Sequence, residues 1–406
     1  MELRDLLKRL KETGASDLHL VAGLPPAVRV NNEMAPLREF ERPTPEQVRN
    51  LIYPILSKEE IARFENDERW RYDLDFARGV ADLGRFRFNV YKQRGTIALT
   101  IRALSDTIPA IESLGLPAGV LDFTRCLRGL VLVTGPAGSG RSTTLASLVD
   151  RINHERSVRI MTIEDPVEYI IPSDRAYVTQ REVGDGSDTL SFENALHYAG
   201  RQGVDVIMIS HLRGYETIRQ ALELTERGAL IFGSMFTPSA TQTIARFVEC
   251  FPPEQQAQTI SQLSADLIGI CSQVLLPRAD RRGRVLACEL MKTNALIQSE
   301  IRQSRFDAIH NILQQGSAEG MQTLDQSLAE LARQNLLDYA TARPYIQEEA
   351  THRMIYQLTG AGRLGVPMPP PTSRPTAVPE TGRAVADTQG RKRLGSAVIP
   401  PWEKQP

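Results

Sequence analysis

The chain has 406 residues, enough for two domains that each bury a core of their own. Its 48 Lys and Arg stand against 49 Asp and Glu, a net charge of −1 that gives no global attraction to nucleic acid or to anionic lipid. Cys126, Cys250, Cys271 and Cys288 lie far apart without a C-x-x-C pair, so neither a zinc ribbon nor a disulfide framework is indicated, and they read as reduced, mostly buried thiols.

The N-terminal "MELRDLLKRLKE" has the spacing of an amphipathic charged helix and lacks a signal-peptide core. Nowhere do 18 consecutive apolar residues occur, so the expectation is a soluble, cytoplasmic protein. Residues 1–104 read as an α+β unit. In it "SDLHLVAGLPPAVRVNNEMAPL" gives short strands joined by a Pro-Pro and an Asn-Asn turn, helices cover roughly Pro45–Ser57 and Lys58–Asn66, and alternating strands return in "YDLDFA" and "GRFRFNVYKQRGTIALTIRAL". Prolines and turn residues mark 105–120 as a linker.

Over 121–292 the rhythm changes, with the apolar runs "GLVLVTG", "VRIMTIED", "VDVIMIS", "ALIFGSM" and "RVLACEL" alternating with helical patterns. That alternation predicts an α/β unit with a mostly parallel sheet and a ligand site beyond the carboxyl ends of its strands. Residues 293–360 read as helical, and the proline-rich, mildly basic tail, 361–406, has too little to bury and is expected to be disordered, or else to be a docking peptide.

One stretch carries chemistry. In "LVLVTGPAGSGRSTT" a strand, the turn Gly135–Gly140 and a helix opening at Ser142 form the context of the phosphate loop G-x-x-x-x-G-K-[ST]. Gly135, Pro136, Ala137, Gly138, Ser139 and Gly140 would turn backbone N–H groups toward phosphate oxygens, with Ser142 and Thr143 opening the helix and the Ser142 hydroxyl on Mg2+. The lysine position is Arg141. A planar guanidinium keeps the charge of the lysine but not its compact fit between two phosphates.

Beyond that loop, "GASDLHL", "TGPAGSGRSTT", "TIEDPVEY", "ETIRQALELTERGALIFGSM", "SQVLLP" and "GMQTLDQSL" resemble the type IV pilus retraction ATPases, the PilT and PilU family of secretion-type hexameric motors, over about residues 1 to 345. The resemblance implies an N-terminal PAS-like α+β domain, then a RecA-like P-loop NTPase domain with a helical C-terminal region. It implies ATP and Mg2+ as cofactors, and either a homohexamer or a mixed ring with an active PilT-like paralogue. Such a ring would lie in the cytoplasm at the inner-membrane base of the pilus machine, against its platform protein and without nucleic acid. The absent C-x-x-C pairs set the chain apart from extension and secretion ATPases that carry a zinc-binding insert.

Carried over residue by residue, the resemblance places Glu164 in the Asp box near magnesium and the attacking water, and Asp205 at the opening of the Walker B strand as a nucleotide-binding residue. It places Arg85, Arg87 and Arg94 among the N-terminal arginines that reach nucleotide at subunit boundaries. Where the family reads close to D-V-I-L-V-G-E-M-R-D, this chain has "DVIMISHLRG", so His211 replaces the water-positioning glutamate, with Arg213 two residues on. Where the family reads G-T-L-H-T, "GSMFT" puts Phe236 at the histidine. The force-linked helix A-I-R-N-L-I-R has only a degraded counterpart in Asn294–Arg305, a variation shared with the accessory, PilU-like branch.

Phosphoryl transfer rests on positioning and charge stabilisation, so alterations at these positions point to weak or absent hydrolysis. Three readings stay open: a nucleotide-binding subunit with little turnover, a working ATPase in which Glu164 takes over the water, and a regulatory scaffold acting through the tail. The residues alone also admit a structural role for His211 and Phe236 and solvated strand positions for the arginines.

Overall fold

The computed structural model describes residues 1–30, 33–66, 72–104, 107–184 and 187–361. The Asn-Asn turn at 31–32 and the proline-rich tail beyond 361 lie outside the described residues.

The N-terminal part opens with α1 (Leu3–Glu12), which buries Leu6, Leu7 and Leu10 along one stripe. Strands β1 (Asp17–Val21), β2 (Ala27–Val30) and β3 (Glu33–Pro36) follow, then α2 (Pro45–Ile52) and α3 (Lys58–Asn66), then β4 (Asp73–Val80), β5 (Gly84–Gln93) and β6 (Thr96–Ala103). Thr44 starts α2 by a reciprocal cap, its hydroxyl accepting from the Gln47 N–H while the Gln47 side chain accepts from the Thr44 N–H. The strands form one antiparallel sheet in the order β3-β2-β1-β6-β5-β4. Alternation on β5 sends Phe86, Phe88 and Val90 inward to pack with Leu6, Leu18 and Ile101, and leaves Arg85, Arg87 and Asn89 on the other face.

Residues 111–120, expected as linker, pack instead onto the next unit, where Ile111 and Val120 are buried. That unit runs through α4 (Asp122–Arg125), β7 (Gly129–Thr134), α5 (Arg141–Glu155), β8 (Arg159–Glu164), β9 (Tyr177–Glu182), α6 (Phe192–Ala199) and β10 (Val206–Ile209). It continues through α7 (Tyr215–Glu226), β11 (Leu230–Met235), α8 (Ala240–Glu249), α9 (Pro253–Asp266), β12 (Leu267–Pro277) and β13 (Arg284–Lys292). Its sheet has seven strands in the order β13-β12-β7-β11-β10-β8-β9, parallel except for the β12–β13 pair. Neither β9 nor β12 reads as a strand in the sequence.

Strands β7, β10 and β11 are buried along their whole length, because both faces of the sheet are covered. Leu130, Leu132, Ile207 and Ile231 face α7 and α8, whereas Val131, Val133, Val206 and Phe232 face α5. Helices α10 (Ala295–Arg302), α11 (Ala308–Gln315), α12 (Leu324–Arg333), α13 (Tyr339–Ala342) and α14 (Glu349–Leu358) complete the described chain. Among them Leu328, Tyr339 and Ile355 close over Leu276 and Ala287. Among the described residues no helix is long and apolar enough to cross a membrane.

Candidate nucleotide-binding site

Parallel β7, β11, β10 and β8 lie side by side, so their carboxyl ends share one edge of the sheet. In that order the ends deliver the Gly135–Gly140 loop, Phe236, His211 and Glu164. This is the edge at which a parallel sheet binds ligands.

The loop is shaped for phosphate. Gly135, Gly138 and Gly140 adopt φ of 143°, 75° and 91°, a region open to glycine. A Cβ on Gly135 would lie 2.2 Å from the Gln273 carbonyl oxygen, so the turn needs the bare backbone there. Pro136, Ala137 and Gly138 are exposed at the tip, Ser139 is buried with its Oγ unpartnered, and Gly140 caps α5. From β12, Gln273 braces the turn: its amide donates to the Ser139 carbonyl at 2.8 Å and its Oε1 accepts from the Thr144 hydroxyl at 3.1 Å. Ser142 and Thr143 stand half-buried in the first turn of α5, and the Thr143 hydroxyl is 2.9 Å from Tyr169 Oη. Backbone N–H groups, a helix N-terminus and an unpaired hydroxyl fit a polyphosphate, and the Ser142 hydroxyl fits Mg2+.

Arg141 is only 8% exposed. Its Nη1 donates to the Met235 carbonyl at 3.0 Å and its guanidinium carbon lies 3.6 Å from the centre of the Phe236 ring. Burial lowers its pKa, but a guanidinium stays charged. The His211 ring sits 5.6 Å from that of Phe236, tilted by 40°, so the three positions that depart from the motifs form one cluster centred on Phe236. Burial first, and then the Arg141 charge, hold the His211 pKa below its ordinary 6.5, leaving a neutral ring at pH 7. Its Nδ1 is buried without a hydrogen-bond partner. Arg213 is exposed beside it.

Glu164 ends β8, 5% exposed, with its pKa pushed up to about 7 by burial against the opposing pull of its donors. Those donors are the Thr162 hydroxyl at 2.6 Å and the Gln180 amide at 3.1 Å, both on Oε1. A carboxyl that titrates near neutrality and is held in one orientation suits a general base.

The remaining expected residues are dispersed. Asp205 stands at the amino end of β10, where its carboxylate accepts from the Arg159 N–H at 2.8 Å. With Val206–Ile209 between it and the binding edge, at about 3.3 Å per residue, its expected role at the nucleotide is corrected to pinning the start of β8. Arg87 is committed to Asp75, with Nε 3.1 Å from Oδ1. Arg94 is exposed in the turn after β5, with φ of 46°. Arg85 starts the same strand, so about 30 Å of strand separates it from Arg94 and the two cannot meet one ligand within the chain. Arg85 does reach the site's rim: its Nε donates to the Val167 carbonyl and its Nη2 to Glu182, each at 2.9 Å. Sequence reasoning missed Gln273, Thr162, Gln180 and Glu182; of these Gln273 and Thr162 carried a signal, inside "SQVLLP" and "TIEDPVEY".

The type II/IV secretion system protein family matches residues 85–359, the span that holds all of this edge. The chain belongs to that family. Within it, the type IV pilus retraction ATPase PilT of Pseudomonas aeruginosa is 39% identical over 345 residues, covering 84% of this chain and 97% of that protein. The type IV pilus ATPase PilU of the same organism is 33% identical over 358 residues, 88% of this chain and 92% of that one. A crystal structure of the pilus retraction motor PilT with bound ADP superposes with a TM-score of 0.79 at 41% identity, covering 86% of this chain and 98% of that one. This secretion-family chain is therefore homologous to the PilT and PilU retraction ATPases over most of its length. Overall identity is higher to that PilT than to that PilU, so likeness alone does not place it in the accessory branch.

Proposed function

We propose that the chain is an ATP-binding, PilT/PilU-like subunit of the type IV pilus retraction machinery for twitching motility, with weak or no hydrolysis of its own. The cluster of Arg141, Phe236 and His211 carries this reading. It supplies no carboxylate beside Glu164, and it turns the loop's cation onto a carbonyl and a ring. Without a second water-positioning group or a phosphate-facing imidazole, the γ-phosphoryl lacks the preorganised donors on which transfer depends. The glycine loop, Ser142 and Thr143 remain to bind a magnesium nucleotide.

On this reading the antiparallel sheet is the PAS-like unit, ending near residue 104, and the seven-stranded sheet of 121–292 is the RecA-like core followed by helices to 360. The subunit works in the cytoplasm, in a homohexamer or in a mixed ring beside an active PilT-like paralogue, against the inner-membrane platform protein.

Glu164 favours a second reading, an active retraction ATPase in its own right, because a buried carboxyl with a pKa of about 7 still stands at the edge. Steady-state phosphate release at saturating Mg-ATP, with Glu164→Gln in parallel, separates the two. A rate equal to that of the variant supports the first reading. A rate well above it overturns that reading in favour of the second.

A further inference from the structure

Phe236 is 58% exposed, which is unusual for a large apolar ring at the edge of a buried strand. One of its faces is nevertheless occupied, because the Arg141 guanidinium lies 3.6 Å from its centre, closer than the other cation–ring contacts among the described residues. The other restraint on the guanidinium is the Met235 carbonyl, on the residue just before Phe236 and paired in register with Thr134 at the root of the loop. One dipeptide thus holds the side chain from two directions, and Gly140 and Arg141 fix its base at the start of α5.

We propose that Phe236 is a positioning residue that parks Arg141 on the end of β11, so that the site distinguishes poorly between a nucleoside diphosphate and a nucleoside triphosphate. In a phosphate loop the backbone N–H groups cradle the inner phosphates, and the side-chain cation reaches the outer ones. Here the backbone cradle is intact while the cation is engaged elsewhere. Interaction with the inner phosphates is retained, and the extra charge of the terminal phosphate meets no cation from the loop until Arg141 leaves Phe236 and Met235. The cost of that departure falls on the triphosphate, so Mg-ATP loses the advantage that an unparked cation would give it. His211 does not substitute, since its ring, 5.6 Å from the same phenyl group, is neutral. This inference rests on the nucleotide-binding reading above.

The test is the dissociation constant of Mg-ATP and of Mg-ADP, measured by calorimetric titration of the full chain and its Phe236→Leu, Phe236→Tyr and Arg141→Lys variants. Leucine keeps apolar volume without a π face, and tyrosine keeps the face. Phe236→Leu should tighten Mg-ATP about fivefold, the worth of one partly exposed cation–π contact, with Mg-ADP changed less than about twofold. Phe236→Tyr should behave as the parent does. In the Arg141→Lys background the leucine substitution should have less than about a twofold effect. An equal shift for both nucleotides, no shift, or the same shift in the lysine background would overturn the positioning role while leaving nucleotide binding standing. Failure of every variant to bind either nucleotide would overturn both.

Discussion

Replacing Glu164 by Gln should stabilise the nucleotide-free protein increasingly as pH rises. The carboxyl is buried at the end of β8, and that burial moves its pKa from 4.5 to about 7. Unfolded, it gives up its proton near 4.5; folded, it keeps the proton until about 7. Between those values the native state binds more protons than the unfolded one, so this group makes stability fall with rising pH. Its contribution is whole below 4.5 and lost by the time pH passes 7. At ~1.4 kcal/mol per unit the full loss is about 3 kcal/mol, of which roughly 2.5 falls between pH 5 and pH 8. Glutamine keeps an acceptor for Thr162 and Gln180 and cannot ionise. Urea unfolding at pH 5 and pH 8, with EDTA and without nucleotide, reads the difference, because every other titrating group cancels between the two proteins. The gap in favour of Glu164→Gln should widen by about 2 kcal/mol or more across that interval. Parallel curves, or a variant that weakens relative to the parent at pH 8, would refute the assignment of a buried carboxyl. Any residual turnover of the parent should rise through the same midpoint near pH 7, since only the ionised form accepts a proton.

Gly135→Ala places a methyl group 2.2 Å from the Gln273 carbonyl oxygen at a φ of 143°, so the loop must shift. Calorimetry should show Mg-ADP binding weakened more than about tenfold, with more than about 2 kcal/mol lost from stability; unchanged binding would mean that the loop does not hold phosphate. Gln273→Leu strands the Ser139 carbonyl and the Thr144 hydroxyl, and denaturant unfolding should record a loss of about 2–3 kcal/mol, a result below 0.5 counting against the brace. Arg85→Ala removes a half-buried ion pair and the bond to Val167, and should cost about 1–2 kcal/mol and increase amide exchange at Val167; exchange left as in the parent would show the contact to be passive.

Much of the binding edge was legible because a phosphate loop is local: strand, turn and helix follow within "LVLVTGPAGSGRSTT", and the glycines announce the backbone they adopt. The strands β7, β8, β10, β11 and β13 were legible for the same reason, each carrying an apolar run of its own. Strand β9, "YVTQRE", carries no apolar alternation because it lies at the sheet edge, where only half-buried positions remain. Strand β12 follows α9 without a glycine or proline between them, so its start at Leu267 was hidden, and its register against β7 shifts between Leu267 and Gly269. Positions 141, 211 and 236 each drew notice as departures from a motif, but nothing in their spacing reveals that they touch. Their contact follows from β11 lying between β7 and β10, which is a matter of strand order and not of local pattern. Asp205 was misplaced for a related reason, since a motif read along a strand does not say which end of the sheet it reaches.

The Arg85 contact joins the antiparallel sheet to the parallel one at the rim of the binding edge. Glu182 receives both the Arg85 guanidinium and the Val167 N–H, so one carboxylate ends β9, anchors the turn that follows Glu164, and holds the start of β5. A rotation of the antiparallel sheet against the parallel one therefore has two outcomes: the ion pair breaks, or the turn at 165–168 travels with Arg85 and drags on the residue next to the carboxyl. The link acts as a tether with Glu164 close to its fixed end. Torque applied at the N-terminal sheet is delivered as a displacement beside the buried Glu164 carboxyl, and a change at that carboxyl is felt as strain in β5.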